Sequence, residues 1–395
     1  MKRIILQRGK EKSLQRFHPW VFSGAIAKKD NTLADGDCVE VYDYDHNYLA
    51  TGHYHNSSTC VKVFSFRQVE PDAAFWKSKL QQAIDFRRQL GLLDSADTTA
   101  FRLVNGEGDY LPGLIVDWYD GHVVMQFHSY GMCLLRDTFT QALRDIFGDR
   151  LRAVYDKSAA TLPEVAGYTP VDGLLYGTLG EVTVRENGVP FHIDIPGGQK
   201  TGFFLDQRDN RQLVGQYAAG RRVLNLFCYT GGFSCYALAG GAVRVDSVDI
   251  SKKAIADVEG NVTALDPGLL QRHAAFAENV FDFFEHTPDA SYDLIVLDPP
   301  AFAKHHKVKE QGIKGYRNLN RKAFQKVKPG GFLFTFSYSQ AISHDDFQTI
   351  VFSAAAMEGK RVRVLRHLEA GPDHPVDIFH PEGSYLKGLL VYVEA

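Results

Sequence analysis

The chain has 395 residues, 45% of them hydrophobic and 23% charged, with a formal net charge of −3 at pH 7. This balance predicts a globular protein of two or three domains. No apolar run reaches the roughly 18 residues of a membrane span, and no signal peptide is recognisable. The five scattered cysteines form neither a CxxC pair nor a zinc-type cluster, so we expect a cytoplasmic protein with reduced thiols and no metal site.

The first 182 residues predict two domains. Alternating apolar and polar residues at 38–42 and 60–66 favour short strands of a small β-barrel over residues 1–70. Apolar spacing then predicts helices over 72–90 and 134–146, with strands at 102–104, 113–118, 123–128 and 153–155. Residues 71–182 are therefore expected to form a central α+β domain.

Residues 183–395 predict a β-hairpin followed by alternating strands and helices. The dipeptide Asn187-Gly188 is typical of a two-residue type I′ turn. We expect helices at 203–213, 232–239, 252–263 and 316–326, and strands at 222–227, 244–249, 294–297, 332–337, 362–368 and 385–393. This alternation predicts a mostly parallel sheet covered on both faces.

A candidate cofactor turn follows the strand at 222–227, where Tyr229-Thr230-Gly231-Gly232 leads into a helix. Ligands of open α/β sheets bind beyond such strand ends, and glycine lets the backbone approach them closely. The next strand ends at Asp249, whose carboxylate can accept hydrogen bonds from both ribose hydroxyls. A dinucleotide shares this layout, but the GxGxxG that seats a pyrophosphate is absent. The pattern favours S-adenosylmethionine without excluding a nucleotide.

A candidate substrate loop begins where the apolar strand 294–297 stops at Asp298-Pro299-Pro300. Two prolines force an extended, rigid loop. That loop can present the Asp298 carboxylate to a flat, hydrogen-bonding substrate, with Phe302 placed to stack on it. An ordinary strand-ending turn is the alternative, and the order of the motifs favours the substrate site.

Two segments are strongly basic. Residues 1–29 hold eight Lys and Arg against one acid, and residues 301–322 hold seven against one. Such clusters can neutralise nucleic-acid phosphates, although most charge runs are simply solvated surface. Both interpretations stay open on charge alone.

Taken together, these motifs resemble the bacterial large-subunit ribosomal RNA methyltransferases that carry an N-terminal PUA domain and modify cytosine at carbon 5. The resemblance covers essentially the whole chain, through the segments 8–13, 18–24, 106–114, 200–208, 229–233, 298–300, 373–376 and 381–388. It implies a PUA-like RNA-binding domain over 1–70, a central α+β domain over 71–182 and a Rossmann-like class I methyltransferase domain over 183–395. The last domain is expected to hold a mostly parallel seven-stranded sheet with an antiparallel last strand.

The resemblance also implies the ligands and the residues that bind them. It implies S-adenosylmethionine as cofactor, S-adenosylhomocysteine as product, ribosomal RNA as partner, no membrane association and a tendency to form homodimers. Cofactor contacts are expected from Lys200, Thr201, Phe204, Asp206, Arg208, Asn225, Phe227, Tyr229, Gly231, Asp249, Ile250, Glu278, Asn279 and Asp298. Substrate contacts are expected from Phe302, Lys304, Lys307, Lys314 and Arg317.

The sequence departs from the family pattern at two places. The family's nucleophilic cysteine lies in a Ser-Cys-Ser context, where this chain has Ser337-Tyr338-Ser339. That cysteine adds to carbon 6 and activates carbon 5, which a phenol with a pKa near 10 is not expected to do. Asn279 replaces a usual acid, but its amide can still hydrogen-bond the adenine amine. Asp298 and Tyr338 are nevertheless the expected catalytic residues.

Three hypotheses follow for the function. The favoured one is an active RNA methyltransferase whose target atom stays open; with Tyr338 in the base pocket, Asp298 would orient an exocyclic amine or ring nitrogen. The second keeps cytosine carbon 5 as target, with an unidentified nucleophile. The third is a catalytically altered RNA-binding or ribosome-assembly protein that retains cofactor binding.

Overall fold

The computed structural model describes residues 1–303 and 308–395. The chain is divided into two units, the first comprising 1–184, 193–205 and 372–383, and the second comprising 185–192, 206–371 and 384–395. None of the helices within the described ranges is long and apolar enough to cross a bilayer. The boundaries expected at residues 70 and 182 stay predictions.

One sheet of the first unit contains the N-terminal strands. These are β1 Lys2–Leu6, β2 Trp20–Phe22, β3 Ile26–Lys29, β4 Cys38–Tyr42, β5 Tyr48–Tyr54 and β6 Thr59–Ser65, with the short helix α1 Lys12–Gln15. They pair in the order β2-β6-β5-β4-β1-β3. Val39 and Val41 on β4 and Val61 and Val63 on β6 are buried in one core, as the alternation of these segments predicts.

The second sheet of this unit carries helices on it. Its strands are β7 Ala100–Asn105, β8 Leu114–Tyr119, β9 His122–Phe127, β10 Ala153–Asp156 and β11 Gly173–Gly177, and its helices are α2 Ala73–Gln89, α3 Tyr130–Cys133 and α4 Arg136–Phe147. Asp72 caps α2 by accepting a hydrogen bond from the Phe75 N–H at 2.8 Å. Strand β11 was not predicted, because its sequence shows no alternation.

A hairpin precedes the alternating strands and helices of the second half of the chain. It consists of β12 Val182–Glu186 and β13 Val189–Ile193. Asn187 and Gly188 have φ of 49° and 81°, as a type I′ turn requires at both positions. The predicted hairpin is therefore observed.

The second unit contains a predominantly parallel sheet. Its strands are β14 Arg222–Leu226, β15 Arg244–Asp249, β16 His273–Ala277, β17 Tyr292–Leu297, β18 Val327–Ser337, β19 Val362–Leu368 and β20 Lys387–Val393, in the order β16-β15-β14-β17-β18-β20-β19. Strand β20 is antiparallel to both of its neighbours, whereas β14 to β18 pair in parallel. The expected seven-stranded, mostly parallel sheet with an antiparallel last strand is confirmed.

Helices accompany this sheet, and some differ from the prediction. They are α5 Arg208–Tyr217, α6 Gly232–Ala239, α7 Lys252–Leu265, α8 Val280–His286, α9 Lys309–Lys326 and α10 His344–Met357. The helix expected at 203–213 begins at Arg208, after a 3₁₀ turn, and α9 begins before residue 316. Gly312 and Gly315 weaken the helical signal there by about 1 kcal/mol each. A Cβ at Gly312 would lie 2.6 Å from the Cβ of Ala303, so close packing explains the glycine.

A buried ion pair joins α5 to the hairpin turn. Arg211 Nε and Nη2 each lie 2.7 Å from a different oxygen of Glu186, and both side chains are inaccessible to solvent. Arg211→Met leaves a buried carboxylate without its cation, so we expect a loss of about 3–5 kcal/mol in the free energy of unfolding. Urea denaturation measures this loss. Arg361→Met, which removes an exposed partner of Glu394, should change the free energy of unfolding by under about 1 kcal/mol. Equal effects of the two variants would contradict the prediction.

Candidate active site

The candidate site lies at one edge of the parallel sheet. Leu226 of β14 pairs with Val248 of β15 and with Leu297 of β17, and Leu297 pairs with Thr335 of β18. Neighbouring strands lie about 4.8 Å apart. The residues that end or follow these strands, Phe227, Asp249, Asp298 and Tyr338, therefore lie along one edge. The glycine turn, the acid of β15 and the proline loop converge as the sequence predicts.

The turn after β14 has an unusual backbone. Phe227, Tyr229 and Gly231 have φ of 59°, 47° and 80°, a region that L-residues other than glycine rarely adopt. A Cβ at Gly231 would lie 2.8 Å from Val258 Cγ1, so a side chain is excluded there. Strained backbone that the surrounding structure holds in place is common at ligand sites.

Asn225 lies beneath this turn instead of facing solvent. Its side chain is 1% exposed, and its Nδ2 donates to Ser234 Oγ at 2.8 Å, which ties β14 to α6. Ser234 Oγ is in turn 2.7 Å from Ser247 Oγ on β15. These hydrogen bonds hold β14, α6 and β15 together below the turn, and a direct contact of Asn225 with a cofactor stays a prediction.

Asp249 is held by the two loops beside it. Its Oδ2 accepts a hydrogen bond from the Tyr229 N–H at 3.0 Å, and its Oδ1 accepts one from the Ser251 N–H at 2.9 Å. Each carboxylate oxygen has two lone pairs, so one on each remains for a further donor. The side chain is half-buried, and the adjacent Ile250 is 73% exposed. A carboxylate beside an open apolar surface suits the ribose and base of a nucleoside.

The loop after β16 has fewer side-chain groups free to bind a cofactor than the sequence predicts. Glu278 donates its N–H to the Asp249 carbonyl at 3.0 Å, and its Oε1 lies 2.8 Å from His286 Nε2. The exposed Asn279 caps α8, since its Oδ1 accepts from the Phe281 N–H at 2.8 Å. An adenine amine would have to share that oxygen with the cap. The Asn279 contact with adenine stays a prediction that this geometry makes less favourable.

Asp298 is held by a glutamine that the sequence did not single out. Gln207 Nε2 lies 3.3 Å from both carboxyl oxygens of Asp298, and Gln207 Oε1 accepts from Asn210 Nδ2 at 2.6 Å. Burial, followed by the nearby Asp206 carboxylate, raises the pKa of Asp298 to about 8, against the opposing effects of Gln207 and Arg211. Asp298 is therefore predominantly protonated at pH 7 and can exchange a proton near neutrality.

Tyr338 lies in the same cluster. Its ring stacks on Tyr385 with 6.2 Å between centroids and 24° between planes, and its hydroxyl oxygen is buried. Burial and the charges of Asp206 and Asp298 raise the pKa of Tyr338 well above 10, although a hydrogen bond with Gln207 lowers it. The phenol therefore stays neutral and is a poor nucleophile.

Asp206 and Tyr385 complete the cluster. The Tyr385 hydroxyl donates to Asp206 Oδ2 at 2.8 Å. The other oxygen, Oδ1, is buried and has no hydrogen-bond donor among residues 1–303 and 308–395. Gln207 and Tyr385 lie inside the recognised segments 200–208 and 381–388, which is the signal that could have identified them. An acceptor without a donor at this position suits a cationic ligand group.

The proline loop is attached to the turn at 337–339. The Ala303 N–H donates to Ser339 Oγ at 3.0 Å, and the Tyr316 hydroxyl lies 2.9 Å from the same oxygen. The Phe302 ring packs on Tyr316 with 4.8 Å between centroids, so part of its surface is occupied. Lys387 Nζ donates to the Ser339 carbonyl at 2.9 Å. Asp298 and Tyr338 therefore belong to two loops that are fixed to each other.

The basic segment at 301–322 is partly neutralised. Lys309, Arg321 and Lys322 pair with Asp346, Glu358 and Glu285. On α9, Lys314 is exposed and Arg317 half-buried, and neither has an ion-pair partner in the described part of the chain. The predicted contacts Lys304 and Lys307 lie outside the described residues.

Three predicted cofactor residues belong to the first unit. Thr201 is 1% exposed, and its hydroxyl donates to Asp117 Oδ2 at 2.6 Å, so its oxygen is already engaged. Lys200 is exposed with φ of 53°, and Phe204 is half-buried. Arg208, at the start of α5 in the second unit, is buried beside Asp209. Contacts of these residues with a cofactor stay predictions.

Comparisons with known proteins identify the family of the chain. Residues 171–391 match the S-adenosylmethionine-dependent methyltransferase family, and residues 4–66 match a PUA-like domain. The chain is 40% identical to "Ribosomal RNA large subunit methyltransferase I" of Aeromonas hydrophila subsp. hydrophila, over 98% of both chains. It is 39% identical to the protein of that name from Tolumonas auensis, again over 98% of both.

Two solved structures share the fold over 100% of both chains. A SAM-dependent methyltransferase from Streptococcus mutans matches with a TM-score of 0.84 at 24% identity. The methyltransferase SMU.776, complexed with SAH, matches with a TM-score of 0.85 at 25% identity.

Proposed function

We propose that this chain, which belongs to the S-adenosylmethionine-dependent methyltransferase family, transfers a methyl group to a base of large-subunit ribosomal RNA. The proposal depends on one observation, the alignment of Asp249 and Asp298 at the ends of strands separated only by β14. It is supported by the names of full-length relatives at 39–40% identity. A cytoplasmic location, expected from the cysteine pattern, and a homodimer, expected from the family resemblance, stay predictions.

The residues present fit the cofactor. When bound, S-adenosylmethionine supplies an electrophilic methyl group. Asp249 has a free lone pair on each oxygen for the ribose hydroxyls, and Gly231 keeps the turn free of a side chain. Asp206 Oδ1, buried without a donor in the described residues, can accept a hydrogen bond from the ammonium group. Each assignment is a proposal about this chain's own residues.

The target atom is proposed to be a nitrogen. Carbon 5 of cytosine requires a thiolate, and Cys228 and Cys235 are the cysteines of the second unit. Burial raises the pKa of Cys235 to about 12 and that of Cys228 well above its usual value. Neither is a thiolate near neutral pH, and Tyr338 stays a neutral phenol. An exocyclic amine or ring nitrogen carries its own lone pair and needs no covalent adduct.

In this proposal, Asp298 is the general base that accepts the proton of the target nitrogen. Its ionised form accepts a hydrogen bond from the amine and takes the proton that the nitrogen loses on methylation. Gln207 holds the carboxylate in place, while the half-buried Tyr338 ring offers a surface for the base. The hydrogen bond from the Ala303 N–H to Ser339 Oγ holds together the two loops that carry Asp298 and Tyr338.

A labelled methyl donor tests the function. Protein-free and partly assembled large-subunit ribosomal RNA are incubated with the enzyme, and the methylated nucleoside is identified by mass spectrometry. We expect label in RNA and an N-methylated base. Formation of 5-methylcytosine would overturn the nitrogen target but keep the methyltransferase. No label on any of these RNAs would overturn the function, and would favour the RNA-binding alternative.

The pH dependence tests the role of Asp298. Because its pKa is raised to about 8, the ionised fraction, and with it kcat/KM, should rise through about pH 8. The Gln207 hydrogen bond lowers this pKa, so Gln207→Leu should move the midpoint upwards. Gln212→Leu, at an exposed glutamine of the adjoining helix α5, should leave the midpoint unchanged. A downward shift, or no shift, would contradict the assignment.

A further inference from the structure

A cavity in the first unit is lined by none of the residues assigned to methyl transfer. Its volume is about 410 Å³, within the range of small-ligand sites. Its walls come from the end of β6, from α2, from the turn after β7 and from the segment at 377, and include Phe66, Arg67, Lys79, Glu107, Tyr110 and Asp377. The cavity therefore combines aromatic rings with charged groups.

Lys79, on α2, is one of the cations that line this cavity. Its Nζ lies 5.7 Å from the ring centroids of both Phe75 and Tyr110, which is cation–π contact. Within residues 1–303 and 308–395, its ammonium makes no ion pair and no hydrogen bond. Burial lowers the pKa of Lys79, which reflects the loss of water around the charge. A negatively charged ligand would offset that loss.

The carboxylates of the cavity already have donors. Glu107 Oε1 accepts from Trp20 Nε1 at 2.9 Å and lies 3.8 Å from Lys62 Nζ. Asp377 Oδ1 accepts from the Phe379 N–H at 3.1 Å. Lys79 and Arg67 are therefore the cations left to meet a ligand, and they favour an anionic one.

The aromatic residues supply a stacking surface. Tyr110 is 54% exposed and is held in the left-handed region, with φ of 57°, directly after the turn at 106–109. Phe66 packs edge-on against Phe17 at 5.3 Å, and Phe17 is itself 48% exposed. Exposed rings beside cations are typical of surfaces that bind single-stranded nucleic acid by stacking on bases.

We propose that this cavity binds one unpaired nucleotide of the RNA substrate, with a phosphate at Lys79 and the base against Tyr110. The inference rests on the proposed function, because it takes RNA as the substrate. It adds an RNA-binding site in the first unit that is formed by none of the residues assigned to methyl transfer.

Lys79→Met tests the phosphate contact in the full-length protein. The probes are a large-subunit ribosomal RNA transcript and a 12-nucleotide single-stranded RNA, with affinity measured by fluorescence anisotropy between 50 and 200 mM KCl. We expect about tenfold weaker binding, and a decrease of about 0.7 in the slope of log affinity against log salt. Lys77→Met, on the same helix but paired with Asp145, should bind as the wild type does. Equal behaviour of the two variants would overturn the inference.

Tyr110 provides an independent test should Lys79→Met fail to fold. Tyr110→Leu removes the ring and should weaken RNA binding about tenfold, whereas Tyr110→Phe keeps the stack and should bind normally. Equal affinities for Leu and Phe would count against the nucleotide site. Inorganic phosphate and adenosine monophosphate are titrated in parallel, because competition by phosphate alone at low concentration would indicate a simple anion site instead.

The inference and the proposed function can fail separately. Binding of S-adenosylhomocysteine by calorimetry should be unchanged in Lys79→Met and Tyr110→Leu. If the wild type binds RNA through Lys79 but does not methylate it, the function fails and the nucleotide site stands. If the wild type methylates RNA while both variants bind RNA normally, the nucleotide site fails and the function stands.

Discussion

Asp298→Asn is expected to lower the rate of methyl transfer by about 10³-fold and, at the same time, to raise the midpoint of thermal unfolding. The rate falls because an amide cannot take the proton of the target nitrogen, and general-base catalysis contributes about 10²–10⁴-fold. Stability rises because the protein no longer holds a buried carboxyl group whose ionisation is unfavourable.

The sign of the stability change follows from the pKa. The folded-state pKa of Asp298 is raised from 3.8 to about 8, so its ionisation is opposed in the folded protein. Asp298 does not lower the free energy of unfolding below about pH 3.8. As the pH rises from there to about 8, it lowers the free energy of unfolding by an increasing amount. The gain in unfolding temperature of Asp298→Asn over wild type should therefore be larger at pH 8 than at pH 5.

Asp293→Asn, on the strand β17 that leads to Asp298, is the matched control. Asp293 pairs with Lys328 at 2.8 Å, and its pKa is lowered by that hydrogen bond and by the Arg222 N–H, despite the opposing effect of burial. Its ionised form stabilises the fold above about pH 3.8, so Asn should lower the unfolding temperature while leaving the methylation rate close to wild type. An active Asp298→Asn enzyme, or one less stable than wild type at pH 8, would contradict the proton-transfer role.

Asp249→Ala is expected to weaken the binding of S-adenosylhomocysteine by about 100-fold or more. A hydrogen bond to a charged group contributes about 1.5–3 kcal/mol, and the carboxylate is proposed to accept two from the ribose. The substitution also frees the Tyr229 and Ser251 N–H groups, which hold the shape of the turn. Isothermal titration calorimetry measures the affinity.

Two variants separate these contributions. Asp257→Ala removes an acid on α7 that pairs with Lys253 at 3.1 Å, and it should bind as tightly as wild type. Asp249→Asn keeps the size of the side chain and one acceptor oxygen, so an intermediate affinity is expected. If the affinity of Asp249→Ala for S-adenosylhomocysteine is within about threefold of wild type, the carboxylate stabilises the turn and does not bind the ribose.

The sequence determined the features whose signals are local. Asn187-Gly188 encodes a turn that few other dipeptides allow, and it is observed with both residues at positive φ. The strand, glycine turn and helix around Gly231 follow from hydrophobic runs and from glycine, which adopts a positive φ more readily than any other residue. The convergence of Asp249 with Asp298 followed as well, because the carboxyl ends of neighbouring parallel strands share one edge.

Two elements were not predicted from the sequence, and the reasons differ. Helix α10 begins with a capping box in which Ser343 and Asp346 bind each other's backbone N–H groups, a recognised start signal. Strand β16, His273–Ala277, contains three alanines, which have low strand propensity, and it exists because it pairs with β15. For β16 the tertiary context overrode the local preference.

Only the tertiary structure decided which side chains surround the reacting groups. Gln207 lies 91 residues before Asp298, and Tyr385 lies 179 residues after Asp206, so no spacing rule links either pair. No spacing rule links Lys309 or Lys322 to the acids that neutralise them either, because Asp346 and Glu285 are distant in the sequence. Local patterns encode backbone shape, because turns and periodicity depend on adjacent residues. Proton affinity and free charge depend on groups that meet only when the chain has folded.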